Sequence, residues 1–319
     1  MSKAPVIWLL TDNKPGHRNQ LKGLGNRLRV KTGASVHWVN AQEVSVPLWR
    51  ALLAMAPAMD KTLPHPDMVI AAGTGTHKLL LCLRRLKNTK TLVIMKPGFP
   101  RTWVDGAIVP AHDGVSGSKH TLVTEGAINT ITPLAKVTDK PEALLLLGGP
   151  SPHFDWEDDV VFGQISHLIG EYPEWRWTIS GSRRTPEALT SRLNELAGPR
   201  ITVVDPDTTH EDWLSQQVAA SRAIWVTPDS MSMVCEAATS GVPTGLLQLQ
   251  QNAGSRVANG VQRLVENGYV ARWSDHATVM GGKTGQETPL WEANRAAQWV
   301  IKRWFSPNSA YKDQTRSHT

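Results

Sequence analysis

The chain has 319 residues, of which 40% are hydrophobic, and a formal net charge of +6. That length suits two domains of ordinary size, and that apolar content excludes wholesale disorder. The positive balance suits an anionic substrate, nucleic acid or anionic lipid, while apolar runs such as residues 143–147 are far too short to span a bilayer.

Met1, Ser2, Lys3, Ala4 and Pro5 lead straight into an apolar strand at 6–10, with no secretory pattern, so a cytoplasmic location is expected. The polar loop from Thr11 to Gln20 follows, then a helix at 19–31 and a strand at 36–39. In that loop Asp12 and His17 are candidates for a general base, since histidine titrates near neutrality and a carboxylate can orient it. The plain alternative is a turn shaped by Asn13 and Gly16. Residues 49–59 are apolar and rich in methionine, and read as a buried helix or as a membrane-dipping acceptor surface. A strand at 68–71 ends in Ala72, Gly73, Thr74, Gly75, Thr76 and His77, opening a helix at 77–87. Lys78 stands where a dinucleotide fingerprint needs its third glycine, so this loop, with Thr74 and Thr76, reads instead as a backbone contact for an acceptor or a phosphate. Strands at 91–95 and 106–109 come next, and Pro110, Ala111, His112 and Asp113 follow directly. His112 and Asp113 form a rival acid–base pair, unless Asp113 only fixes the turn before Gly114.

Residues 130–141, rich in Thr, Lys and Pro, read as a linker after which the pattern restarts. Strands are expected at 143–147, 175–179, 201–204, 223–226 and 244–247, with helices at 156–172, 186–196 and 211–220. Runs of β-α-β units imply parallel sheets, with sites beyond the carboxyl ends of the strands. Gly148 and Gly149 allow the backbone close to a ligand. Arg183 and Arg184 offer guanidinium forks to a diphosphate. Asp205, Pro206 and Asp207 resemble a metal-binding DxD, but turn and cap chemistry explains them. Between Val226 and Pro243 a strand, a polar turn and a helix start carry Ser230 and Ser232 as hydroxyl donors beside free N–H groups. Glu236, further along that helix, could hold a ribose.

Residues 291–305 form a basic, Trp-bearing helix pattern, and 306–319 a polar tail expected to be disordered. Cys82 and Cys235 lack any CxxC or Cys/His partner and read as core thiols. Thirteen tryptophans against four phenylalanines fit a protein working at a membrane surface, though scattered core and surface tryptophans would give the same count. Arg84 and Arg85 come with no nucleic-acid motif, so no nucleic acid is expected as a partner.

Asp229 to Pro243 resembles the donor-binding segment of the lipid-linked N-acetylglucosaminyl transferase of peptidoglycan synthesis, with Glu236, Gly241 and Pro243 in matching places. The resemblance implies that Glu236 binds ribose and that Ser230 and Ser232 lie near the diphosphate. More of the chain is similar to the mitochondrial-fission-like family, which has bacterial members and a plant member named for elongated mitochondria. The matching residues are Asp12 to Gln20 (D-x-K-P-G-H-x-x-Q, with Lys14 and Gly16), Lys96 and Pro97, and Val109 to Asp113. They continue with Gly148 to Ser151, Ser182 to Pro186, and Thr227 to Met233, which includes Asp229 and Met231. Ser221 and Arg222 depart from it, where Ala-Asp is expected.

What the resemblance implies is a GT-B-like α/β fold, two Rossmann-like doubly wound domains with parallel sheets facing across a cleft. The expected boundaries are 1–137, 138–290 and a helix at 291–305 that crosses back. The expected activity is a metal-independent glycosyltransferase at the inner face of the cytoplasmic membrane, with no cofactor. Its donor would be a nucleotide-sugar and its acceptor a glycan or lipid-linked glycan such as lipopolysaccharide core. His17, oriented by Asp12, is the expected base, with Asp113 in reserve. Lys14, Gly16, Thr74, Thr76 and His112 are placed on the acceptor side. Gly149, Ser151, Ser182, Arg183, Arg184, Asp229, Ser230, Met231, Ser232 and Glu236 are placed at the donor. A nucleotide-sugar 2-epimerase and a non-enzymatic adaptor are the alternatives.

Overall fold

The computed structural model describes residues 4–283 and 288–306. The tail at 307–319 and the first three residues, on which two of the sequence expectations fall, lie outside the described residues. The chain divides into two compact units, one holding residues up to Thr130 together with the segment from Trp291, the other Ile131–Leu290.

The first unit runs β1 (Val6–Thr11), α1 (Pro15–Thr32), β2 (Ser35–Asn40), α2 (Leu48–Leu53), β3 (Met68–Ala72), α3 (His77–Leu83), β4 (Lys90–Ile94), β5 (Gly106–Pro110) and β6 (Thr121–Thr124). The second runs β7 (Glu142–Leu146), α4 (Asp158–Glu171), β8 (Arg176–Ser180), α5 (Glu187–Glu195), β9 (Ile201–Val204), α6 (Trp213–Ala220), β10 (Ala223–Val226), α7 (Met231–Ser240), β11 (Thr244–Leu246), α8 (Arg256–Glu266) and α9 (His276–Met280). The last helix, α10 (Glu292–Val300), continues into a wider π turn, Ile301–Phe305, and belongs to the first unit.

All strand pairs are parallel, in the orders β2-β1-β3-β4-β5-β6 and β11-β10-β7-β8-β9. Parallel strands covered on both faces need side chains that are apolar throughout, and β1 is buried at all six positions. Its residues alternate between two cores. Ile7 and Leu9 join the cluster under α1 and α10, while Val6, Trp8 and Leu10 join the opposite one. On α10, Ala293, Ala296, Ala297 and Val300 recur at helical spacing and pack with Leu21, Leu24 and Leu28 of α1. In each sheet the chain leaves the first strand to one side and returns on the other. The resulting switch points lie between β1 and β3 and between β7 and β10, where open α/β sheets place their ligands.

Three sequence expectations change. Strand β6 was not foreseen; four residues, two of them threonines, behind a glycine- and serine-containing loop give no apolar run. Helix α1 begins at Pro15, whose fixed φ and missing N–H suit a first turn, so Gly16 and His17 lie inside the helix. The 49–59 segment is a helix only over Leu48–Leu53, and Ala51 is its one buried residue, so it is not a buried helix. Both cysteines are buried thiols, and burial pushes the Cys82 thiol up, with Arg84 and Arg50 opposing. No helix among the described residues is long and apolar enough to cross a membrane.

Candidate functional site

At the β1/β3 switch point, β1 delivers Asp12 into the interior, 3% exposed. His17, on the first turn of α1, reaches back so that Nδ1 lies 2.9 Å and 3.0 Å from the two Asp12 carboxylate oxygens. A carboxylate accepts only, so in the neutral ring Nδ1 carries the proton and Nε2 the lone pair. The carboxylate is held from the other side by the Lys14 backbone N–H, at 3.3 Å. Gly73, directly after β3, has φ +86°, and a Cβ there would fall 2.1 Å from His17 Nδ1. Glycine is therefore required for the His17–Asp12 pair to fit.

Three adjacent strands end in left-handed backbone at this point: Asn13 (φ 62°) after β1, Gly73 after β3 and Met95 (φ 76°) after β4. Positive φ at non-glycine residues is costly and gathers at functional sites. Gln20 closes the D-x-K-P-G-H-x-x-Q run for a structural reason: it is buried and its Nε2 donates to Met95 Sδ at 3.5 Å. His77, at the start of α3, packs edge-on to Phe99 with ring centroids 5.0 Å apart. Burial lowers its pKa, with Asp12 opposing and His17 acting in the same direction as burial, which favours the neutral ring.

Of the other residues expected in this unit, Lys14, Gly16 and Thr74 are exposed beside the pair. Thr76 is not available to an acceptor: it is fully buried, and its hydroxyl donates to the Gly73 carbonyl at 2.7 Å. His112 and Asp113 form a half-buried single turn after β5, three strand spacings from β1 or about 14 Å. The fold brings Asp12 and His17 together and sets Asp113 apart, where Lys96 Nζ donates to its carbonyl at 3.3 Å.

At the β7/β10 switch point, Asp229 is buried after β10 and ties three loops. One of its oxygens, Oδ2, accepts from the Gly149 N–H at 3.1 Å and from Arg184 Nη2 at 2.7 Å. The other, Oδ1, is buried with no hydrogen-bond partner among the described residues. Arg184 Nη1 also donates to the Gly149 and Pro150 carbonyls, at 3.0 Å and 3.2 Å. Gly149 must be glycine, because a Cβ would meet the Arg184 carbonyl oxygen at 2.0 Å. The Ser182 hydroxyl donates to the Gly148 carbonyl at 2.9 Å, and that of Ser151 accepts from the His153 N–H at 3.2 Å.

The expected donor residues thus divide. Arg184, Asp229, Ser182 and Ser151 hold the loops to one another. Arg183 is exposed and has no hydrogen bond or ion pair among the described residues. Ser230 caps α7 by backbone alone, with extended φ and ψ and no side-chain bond, so its hydroxyl and the first N–H groups of the helix are open. Ser232 and Glu236 lie one turn apart on α7 and both are half-buried, as is Met231.

No sequence pattern points to a cavity of about 400 Å³ that opens beside Pro228, with Phe154, Leu247, Leu249, Gln251 and Trp273 among its walls. Its walls come from five separate segments, and only the fold unites them. His167, Glu171 and His276 also gather on the surface, with His167 Nε2 2.9 Å from Glu171 Oε2 and Tyr172 Oη 3.1 Å from His276 Nδ1. These mutual bonds account for the cluster.

Two parallel Rossmann-like sheets, each with loops gathered at its switch point, define a GT-B-type α/β protein. Residues 15–304 match the model of the family described as mitochondrial fission ELM1, and the chain belongs to that family. It is 25% identical over 351 residues to the uncharacterized protein RP120 of Rickettsia prowazekii (strain Madrid E), covering 93% of this chain and 97% of the relative. The solved UDP-GlcNAc 2-epimerase of Methanocaldococcus jannaschii shares the fold at 13% identity and TM-score 0.56, over 93% of this chain and 99% of that one. The UDP-GlcNAc 2-epimerase of Neisseria meningitidis, bound to UDP-GlcNAc, matches at 13% identity and TM-score 0.52, over 93% and 98%.

Proposed function

We propose that the protein is a glycosyltransferase that moves a sugar from a nucleotide-sugar to a membrane-associated glycan, lipopolysaccharide core being the preferred acceptor class. The observation that carries the reading is the buried Asp12 carboxylate fixing His17 Nδ1, which leaves Nε2 ready to take a proton from an acceptor hydroxyl. The hydroxyl oxygen then attacks the anomeric carbon as the bond from that carbon to the phosphate oxygen breaks. The departing nucleoside diphosphate carries the negative charge. Arg183, the open N–H groups of α7 and the hydroxyls of Ser230 and Ser232 stabilise that charge, in the role a metal ion would otherwise fill. Glu236 accepts from the ribose hydroxyls. The work is at the inner face of the cytoplasmic membrane.

The fold shared with UDP-GlcNAc 2-epimerases favours a second reading, in which the sugar is inverted at carbon 2 with no acceptor. That reaction removes a proton from carbon and returns one to the opposite face. A single His–Asp pair fits one transfer from a hydroxyl better.

Titration calorimetry with a panel of nucleoside diphosphate sugars tests the donor assignment. Binding of one of them is expected, and Glu236→Ala should weaken it about tenfold or more through the lost charge-assisted hydrogen bonds. The assignment falls if no nucleotide binds, or if Glu236→Ala binds as the wild type does.

A further inference from the structure

Helix α2 presents the wrong face to water. Leu48, Trp49, Leu52, Leu53 and Met55 are 60%, 51%, 53%, 59% and 45% exposed, and only Ala51 is buried. Soluble proteins scatter exposed apolar side chains singly, whereas five on one short segment mark an interaction surface. The helix is nevertheless held firmly. Ala51 packs with Leu81 and Cys82 of α3, and Arg84 donates to the Ala51 carbonyl and, at 2.7 Å, to that of Leu52.

The chain carrying the patch and the helix under it are rich in bases, with Glu43 and the exposed Asp60 at the ends of the apolar segment. Residues 44–59 contain no Asp or Glu, and neither do residues 68–104, which carry Lys78, Arg84, Arg85, Lys87, Lys96 and Arg101 among their bases. Arg50 lies over the Trp49 ring at 5.4 Å, and Arg84 over the 38% exposed Trp103 at 5.3 Å. Trp103 stacks on Phe99, and Phe99 packs edge-on against His77, which lies beside the His17–Asp12 pair.

We propose that α2 is a lipid-docking element, with its leucines and Trp49 inserted among the acyl chains of an anionic bilayer while the surrounding Arg and Lys side chains engage lipid phosphates. An apolar helix face with Arg50 and Arg84 against it suits that occupant, since insertion and headgroup attraction act together. The surface stands apart from the transfer chemistry, but it would seat the His17 side of the first unit near a lipid-linked acceptor.

Co-sedimentation with vesicles tests this, using phosphatidylcholine alone and phosphatidylcholine mixed with phosphatidylglycerol. The full chain should bind the anionic vesicles at least tenfold more tightly and release them as salt rises. A variant with Leu52→Glu and Leu53→Glu should lose at least tenfold of that affinity, and one with Arg85→Gln and Lys87→Gln should lose the preference for anionic lipid. All four side chains are exposed, so both variants should fold and keep wild-type nucleotide-sugar binding, which separates failure here from failure of the transferase reading. Equal binding of wild type and the leucine variant would overturn the proposal. So would wild-type dimers that the leucine variant dissociates while neither form binds vesicles.

Discussion

His17→Ala should lower sugar transfer about 10²–10⁴-fold while leaving nucleotide-sugar affinity unchanged, the loss typical of removing one positioned general base. The affinity arm follows from the placement of His17 in the first unit, whereas every residue assigned to the donor lies in the second. Asp12→Asn should cost a comparable factor for a different reason. An amide can present its NH₂ to Nδ1, forcing the proton onto Nε2, and it no longer stabilises the imidazolium formed as the acceptor loses its proton. The control is Asp113→Asn, whose backbone turn lies about 14 Å from β1 by strand spacing; transfer within about threefold of wild type is expected. Steady-state kinetics on the three variants checks all of this. A severe loss in Asp113→Asn with a mild one in His17→Ala would reverse the assignment of the base.

The second large effect separates two neighbours that sequence alone treats as a pair. Arg184→Ala removes the partner of a carboxylate that is 1% exposed and opens two backbone carbonyls. Leaving a buried charge uncompensated costs about 3–5 kcal/mol. Arg184 is itself 43% exposed and water can partly replace it, so a loss of about 2–4 kcal/mol in urea denaturation is expected. Arg183→Ala should leave stability within about 0.5 kcal/mol of wild type, as exposed substitutions do, and weaken nucleoside diphosphate binding about tenfold or more. If Arg184→Ala leaves stability unchanged, Asp229 is not the tie that this geometry describes.

That contrast shows how far the sequence could be read. The strands were legible because both sheets are parallel and covered on both faces, which demands runs such as Ala143 to Leu147 that no surface element needs. Only β6, which lies at a sheet edge, has too little apolar content to register. The His17–Asp12 pair was legible too, since five residues between a strand end and a first helical turn leave few other arrangements. What could not be read was the use made of each polar group. Thr76 and Arg184 sit in motif positions that look like ligand contacts, yet one is fully buried and the other spends its donors on Asp229 and two carbonyls. Asp229, Gly149 and Arg184 are 35 to 80 residues apart in pairs, so no local pattern announces their hydrogen bonds. The exposed face of α2 was only half legible. Its composition suits a buried helix and a membrane-dipping surface equally, and the fold decides by leaving Leu48, Trp49, Leu52 and Leu53 exposed among the described residues.

The transferase reading meets its most direct test in the products formed from whichever nucleotide-sugar binds. The substrate is incubated with the purified protein, with and without membranes from cells lacking the protein, which hold the unmodified acceptor. Mass spectrometry of both fractions then decides. The account predicts nucleoside diphosphate released only when membranes are present, together with a membrane glycan heavier by one sugar residue. A carbon-2 epimer of the sugar formed without membranes, or no turnover under either condition, would contradict it.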